Sequence, residues 1–446
     1  MDNKMPCSAK ALVADPMAHR HHCTCGGPHP TLETQIYVGK DAAVVLAGDL
    51  GRASGRGSVL VLDDTNTHAA AGRAVVTQLK AHQIAHLQLT LPGNTNATDA
   101  VADEVYRIGR DHDFILAVGA GTINDLAKFA AARQGRPYWV FPTAPSMNGY
   151  TSSIAAIKVD GVKRTLPAPP PRFVYVDPEV IASAPLDLLQ SGYCDVLAKS
   201  VSDIDWQIES LLFSGSYCRL PSAMVAEAES AFLDSPEKLA DAHTDIAMAL
   251  LKGLLISGCA MSVAGSSAPA SGGEHLFSHF LDMRESITGR QPELHGLQVA
   301  AGIVVSAACY RRLARLPASA LEPRAEQRYQ AEAKRIPTIW KSLSGEVGRR
   351  FSRKRNDLLA LDGRLPETWP SIQSLCQQVP SPHYFANQIR RTGFKLAIHA
   401  LNLDGAEFLL AATAARAIRE RITVLDIAGQ AGVLDAAARD ALGCLR

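Results

Sequence analysis

Between residues 36 and 187, short apolar runs alternate with segments of helical spacing. Val59–Leu62, Phe114–Val118, Tyr138–Phe141 and Phe173–Val176 are continuous apolar runs of strand length. Apolar positions recur at helical intervals over about 69–82 and 97–109, and again after Thr122. Strands that are apolar on both faces belong to a sheet covered on both sides, so this alternation predicts an α/β, Rossmann-like N-terminal domain with a parallel sheet. Pro167-Ala-Pro-Pro-Pro171 reads as a stiff connector, because proline cannot sit in a helix interior without losing a backbone bond. After Pro185 the pattern is almost wholly helical, with helices expected over about 186–213, 221–233, 243–262, 274–284, 295–313, 323–351, 383–401, 405–419 and 422–433. The expected organisation is a polar extension over 1–35, an α/β domain over 36–187 and an all-α domain over 188–446, with the active site in the cleft between the last two.

Composition narrows the class without naming it. A chain of 446 residues is long enough for two domains with large cores. With 45 Lys+Arg against 44 Asp+Glu the net charge is +1, which argues against nucleic acid and anionic membranes as partners. No apolar run reads as a spanning helix and the N-terminus lacks the order of a signal peptide, so no membrane insertion is expected. Nine scattered cysteines, an odd number, fit reduced thiols in a cytoplasm. The extension carries His21, His22, Cys23, Cys25 and His29, soft enough to hold a second metal such as zinc. Without a partner pair at finger-like spacing this run reads as a surface segment. The basic run Arg349–Arg355 reads as a solvated helix end.

Two sets of residues carry candidate chemistry. Asp195 stands near the start of a long helical stretch, His275 where the small-residue loop Ser271-Gly-Gly enters a helix, and His295 at the start of another. Two neutral imidazoles and one carboxylate suit a divalent first-row ion and leave a position open, the pattern of a catalytic site. Upstream, Phe114–Val118 runs into Gly119-Ala120-Gly121-Thr122-Ile123 and directly into a helix. Such a turn lets backbone N–H groups and the helix dipole approach a phosphate, though by itself it is equally an ordinary strand-to-helix turn.

Six blocks in order make the chain resemble the iron-containing alcohol dehydrogenase superfamily, and within it the bacterial branch of the sn-glycerol-1-phosphate dehydrogenase family. They are Gly119–Asp125, Phe141–Gly149, Val174–Pro178, Gly192–Asp195, Gly273–His279 and His295-Gly296. The resemblance implies a metal held by Asp195, His275 and His295, zinc being expected and nickel or iron chemically admissible. It implies cofactor contacts from Asp64, Gly119, Ala120, Gly121, Thr122, Ile123, Thr143, Ala144, Pro145, Ser146 and Ser152. An acid just after the strand Val59–Leu62 can bond ribose hydroxyls and repel a 2′-phosphate, so Asp64 favours NAD over NADP, with Asp63 and Asn66 as rivals for that part. Asp195, Asn148 and His279 are the implied catalytic and substrate contacts, and Glu274 is expected behind the ligands rather than among them. A phosphorylated ketone, dihydroxyacetone phosphate or a close analogue, is the implied substrate, with His279, Lys199, Lys163 and Arg164 as candidates for its phosphate. A homodimer or higher homo-oligomer is also implied. The family usually has Asp where this chain has Asn148, and an amide cannot serve as a base. Two rivals stay open: a lyase of the dehydroquinate-synthase kind, in which bound NAD is regenerated within each turnover, and a catalytically silent ligand-binding relative.

Overall fold

A computed structural model describes residues 7–8, 25, 29–30, 32–54, 57–215, 217–241 and 244–446. His21, His22 and Cys23 lie outside the described residues, with most of the 1–35 extension. The chain forms two compact units: residues 1–196 with 218–267, and residues 197–217 with 268–446. It visits them alternately, whereas the hydropathy pattern divides it once, near 187. The reason lies in 218–267, which is helical like the C-terminal half but packs with the sheet unit.

In the first unit, strands β1 (Cys7–Ser8), β2 (Gln35–Val38), β3 (Ser58–Asp64), β4 (Ala85–Leu91), β5 (Phe114–Gly119), β6 (Tyr138–Pro142) and β9 (Phe173–Val176) form one sheet. Its order is β1-β2-β9-β6-β5-β3-β4. Every pairing is parallel except the short β1–β2 contact. The apolar runs therefore become the expected parallel sheet. Val59, Val61, Leu116, Val118, Trp139 and Phe141 pack with Leu46, Leu50, Val75 and Leu79 of the flanking helices into one core. A hairpin unforeseen in the sequence pattern, β7 (Ile154–Val159) and β8 (Val162–Pro167), turns through Asp160 and Gly161, both at positive φ (50° and 77°). Its signal is Asp-Gly between alternating residues, the signature of a two-residue hairpin turn.

One expectation needs correction. The helix Thr244–Ala264 is 21 residues long and apolar enough to cross a membrane by length and composition. Most of that apolar surface is buried inside the protein, with Leu250, Leu254, Leu255 and Cys259 all buried, which is the property of a core helix.

The second unit is helical, but its segmentation differs from the expected one. The stretch 323–351 breaks at Lys341, which adopts a positive φ of 44° between Ala325–Trp340 and the following turns. The helix Arg355–Gln377 runs where no helix is expected, through Pro366 and Pro370. Leu358, Leu361, Leu365, Trp369, Ile372 and Cys376 form its buried stripe, and Trp369 Nε1 donates to the Leu316 carbonyl at 3.0 Å. Burial of that stripe outweighs the helix bonds that proline removes.

Candidate functional site

In the first unit the Gly119–Ile123 turn forms as its sequence implies. β5 ends at Gly119, Ala120 takes the N-cap position in an extended conformation without a side-chain cap, and the helix Gly121–Gln134 follows. Its leading N–H groups thus have no side-chain acceptor, the arrangement that suits a phosphate. The Thr143 N–H donates back to Gly119 O at 3.3 Å, and Tyr150 Oη donates to Ala144 O at 2.7 Å, so the loop 143–146 is fastened beside the turn. Ser152 is wholly buried, and its hydroxyl donates to the Gly149 and Ile154 carbonyls. Its place is within the loop's own scaffold. Lys128, which sequence reasoning left without a part, is also fully buried; its ammonium donates to the Gly149, Ser152 and Ile154 carbonyls. Burial pushes its pKa down to about 8 against the pull of Asp125. The signal was a lysine on a helix otherwise lined by apolar residues.

At the end of β3 the two aspartates separate cleanly. Asp63 is completely buried and accepts from Gln88 and Thr90 on the neighbouring strand. Asp64 is half-buried and uses one oxygen to cap the next turn, accepting from the Asn66 and Thr67 N–H groups. Of the rivals for a ribose, Asp63 is thereby consumed by the sheet.

Asp195 is brought to the 142–152 loop by close backbone packing. A side chain on Gly192 would lie 1.9 Å from the Pro145 carbonyl oxygen, so only glycine lets the helix Leu186–Leu197 approach that far. One turn on, the buried Asp195 accepts the Asn148 backbone N–H at 2.7 Å. The Asn148 side chain is itself buried, and its Nδ2 has no hydrogen-bond partner among the described residues. An unmet buried donor is costly, and a ligand oxygen is one way to satisfy it. Lys163 and Arg164 lie on β8.

In the second unit, the helices Gly273–Thr288 and His295–Leu313 bring His275 and His295 together, ring centroids 5.3 Å apart. The proton positions follow from the partners. Glu274 Oε1 faces His275 Nδ1 at 2.7 Å and also accepts the Gly272 N–H, so the carboxylate holds the proton on Nδ1. Gln298 Nε2 donates to the Glu293 carbonyl, which turns its Oε1 to accept from Ser278 Oγ at 2.8 Å. Ser278 has then spent its only proton, so it accepts from His295 Nδ1 at 3.1 Å. Both imidazoles are left with an unshared pair on Nε2. Ser278 and Gln298 were missed in the sequence because serine and glutamine on apolar helices carry no signal of whom they bond.

His279 lies one turn beyond His275, and Arg419 donates to its Nδ1 at 3.2 Å. Arg419 also donates to Ser271 Oγ, and Arg421 reaches the Ser271 carbonyl. Burial lowers the Arg419 pKa to about 9. These two cations, more than a hundred residues from His279 in sequence, join Lys199 as positive charges of this unit and were not foreseen.

Within the second unit, two imidazoles whose Nδ1 protons are already bound elsewhere are of the kind a divalent ion takes as ligands, and the buried Asp195 carboxylate of the first is another such group. Residues 37–185 match the iron-containing alcohol dehydrogenase family. Among solved structures, glycerol dehydrogenase from Schizosaccharomyces pombe aligns with 93% of this chain and 92% of its own at a TM-score of 0.58 and 16% identity. NADH-dependent butanol dehydrogenase A from Thermotoga maritima aligns with 94% and 98% at 0.58 and 16%. These likenesses are of fold alone, and it is the match over residues 37–185 that gives the iron-containing alcohol dehydrogenase class. Curated glycerol-1-phosphate dehydrogenases (NAD(P)+) are nearer in sequence: that of Bacillus licheniformis is 32% identical over 71% of this chain and 79% of its own. That of Geobacillus thermodenitrificans is 30% identical over 83% and 85%. The chain belongs to the glycerol-1-phosphate dehydrogenase family.

Proposed function

We propose that this chain reduces dihydroxyacetone phosphate to sn-glycerol 1-phosphate, hydride passing from a reduced nicotinamide to the ketone carbon and a proton to its oxygen. Family membership supports NAD(P) and a metal; zinc and NADH are the choices argued here. Asp195, His275 and His295 would hold the ion, which supplies Lewis acidity at the substrate oxygen. The observation that supports this reading is the proton arrangement around Glu274 and Ser278, which puts the lone pair of both imidazoles on Nε2, the form a metal-binding histidine takes. The N–H groups at Gly121–Ile123 would take the pyrophosphate, and Asp64 the ribose.

Asn148 offers its unmet Nδ2–H to a substrate oxygen and cannot act as a base. The proton is therefore exchanged with solvent, while His279, whose Nδ1 accepts from Arg419 and whose ring proton is thus on Nε2, donates a hydrogen bond to the substrate oxygen. Arg419, held at that Nδ1, places positive charge where a substrate phosphate is neutralised.

The test is a steady-state screen of metal-loaded protein with both nicotinamides. Dihydroxyacetone phosphate should exceed dihydroxyacetone in kcat/KM, because the phosphate contributes binding energy remote from the reacting carbon. Arg419→Met should erase most of that preference, and Asn148→Asp should keep the substrate order and raise the rate. NADH should be consumed one for one with ketone, which a lyase with internally recycled NAD would not do. Absence of turnover with every phosphorylated ketone, in the wild type and in Asn148→Asp, would overturn the substrate assignment.

A further inference from the structure

The first unit holds a second group of metal-ligating side chains, unrelated to the proposed catalytic residues. Cys25, His29 and Cys218 present sulfur, nitrogen and sulfur atoms that all lie within 4.8 Å of one another. Cys25 Sγ is 3.2 Å from His29 Nε2, and Cys218 Sγ is 3.7 Å from the same nitrogen. In a tetrahedral zinc site the edge between a thiolate sulfur and an imidazole nitrogen is about 3.5 Å, given Zn–S and Zn–N lengths of roughly 2.3 and 2.0 Å. The group is therefore already the size of a coordination sphere.

The histidine is oriented for the task. Its Nδ1 lies 3.3 Å from the Val263 carbonyl, which can only accept, so the proton is on Nδ1 and the unshared pair of Nε2 points at the two sulfurs. Cys218 occupies the N-cap position of the helix Arg219–Leu233, where the helix dipole favours an anionic ligand. It is buried, whereas Cys25 and His29 are half-buried. Cys25 and His29 stand four apart in sequence, and the partner that sequence spacing failed to supply is Cys218, 189 residues after His29.

We propose that Cys25, His29 and Cys218 bind a structural zinc ion, which ties the N-terminal extension to the point where the chain re-enters the first unit. Two thiolates and one imidazole are three of the four ligands that a structural zinc site takes. The ion would anchor Cys25 and His29 to the helices Arg219–Leu233 and Thr244–Ala264, whose ends carry Cys218 and Val263.

Metal counting on the full-length protein tests this without reference to turnover. Wild-type protein should carry one more zinc per chain than Cys25→Ser or His29→Gln, and His275→Ala should retain that zinc. Cobalt-substituted His275→Ala should show a thiolate-to-cobalt charge-transfer band that weakens on adding Cys25→Ser. His29→Cys should keep the ion, with a third thiolate in place of the imidazole. Should Cys218→Ser fail to fold, the half-buried Cys25 and His29 variants carry the test, with circular dichroism as the check on their fold. Equal zinc in wild type, Cys25→Ser and His29→Gln would overturn the proposal, as would a Cys25–Cys218 disulfide in a non-reducing peptide map. A dehydrogenase reading that failed would leave the zinc count unchanged.

Discussion

Ser278 shows how much a single hydroxyl can decide. It has one proton, Gln298 receives it, and the nearby imidazole must then donate. Glu274 does the same for His275 with a carboxylate. Partners of this kind typically govern metal affinity by about 10- to 100-fold. Glu274→Ala and Ser278→Ala should therefore weaken metal binding at the proposed catalytic ligands by that order in chelator competition, while His275→Ala should abolish it there and leave any zinc at Cys25, His29 and Cys218 in place. Unchanged affinity in both partner variants would show that the proton positions do not matter to the ion. The histidines themselves were legible in the sequence because ligand identity belongs to a residue. Their protonation was not, because it belongs to neighbours such as Gln298, whose own orientation is set by Glu293.

Among the elements, the helix Lys199–Phe213 supplies one carboxylate that holds two other helices. Asp205 is buried; it accepts the first N–H of the helix Gly273–Thr288 at 2.7 Å and the first N–H of the helix Val424–Gln430 at 2.6 Å. Tyr310 Oη donates to it at 2.7 Å. Removing the carboxylate leaves two helix-terminal donors unmet in the interior, each worth about 1–3 kcal/mol, while Tyr310 keeps the Val201 carbonyl as an acceptor at 3.1 Å. Asp205→Ala should lower unfolding stability by about 3 kcal/mol or more in urea titration, and Asp205→Asn, which keeps one acceptor oxygen, by less. A change within about 0.5 kcal/mol, the usual range of surface substitutions, would remove Asp205 from this part. Helix identity was largely readable from apolar spacing here. The exception was Arg355–Gln377, where local proline rules and tertiary burial of Trp369 conflict and burial wins.

At the scale of the whole molecule, a ligand that binds only the native state raises stability according to its affinity. NADH at a hundred times its dissociation constant should raise unfolding stability by about 2.7 kcal/mol. With Asp64 at the end of β3 as the ribose contact, NADPH at the same concentration should raise the thermal midpoint less, and Asp64→Ala should narrow the gap. An equal or larger shift with NADPH would refute that part for Asp64. The two units also explain why one boundary near 187 looked sufficient: helical periodicity reports an element's type and is silent on which core receives it.

The sequence by itself determined the parallel sheet, the strand-to-helix turn at Gly119–Ile123 and the identity of the carboxylate and imidazoles. All of these rest on local period, local turn chemistry or residue type; the hairpin β7–β8 was not foreseen, although Asp160-Gly161 carries its local signal. Only the tertiary structure decided the rest. It returned residues 218–267 to the sheet unit, set Arg419 against His279, consumed Asp63 within the sheet and brought Cys218 to Cys25 and His29. Each is a contact between distant parts of the chain, fixed by which surfaces bury one another, and no local period encodes it.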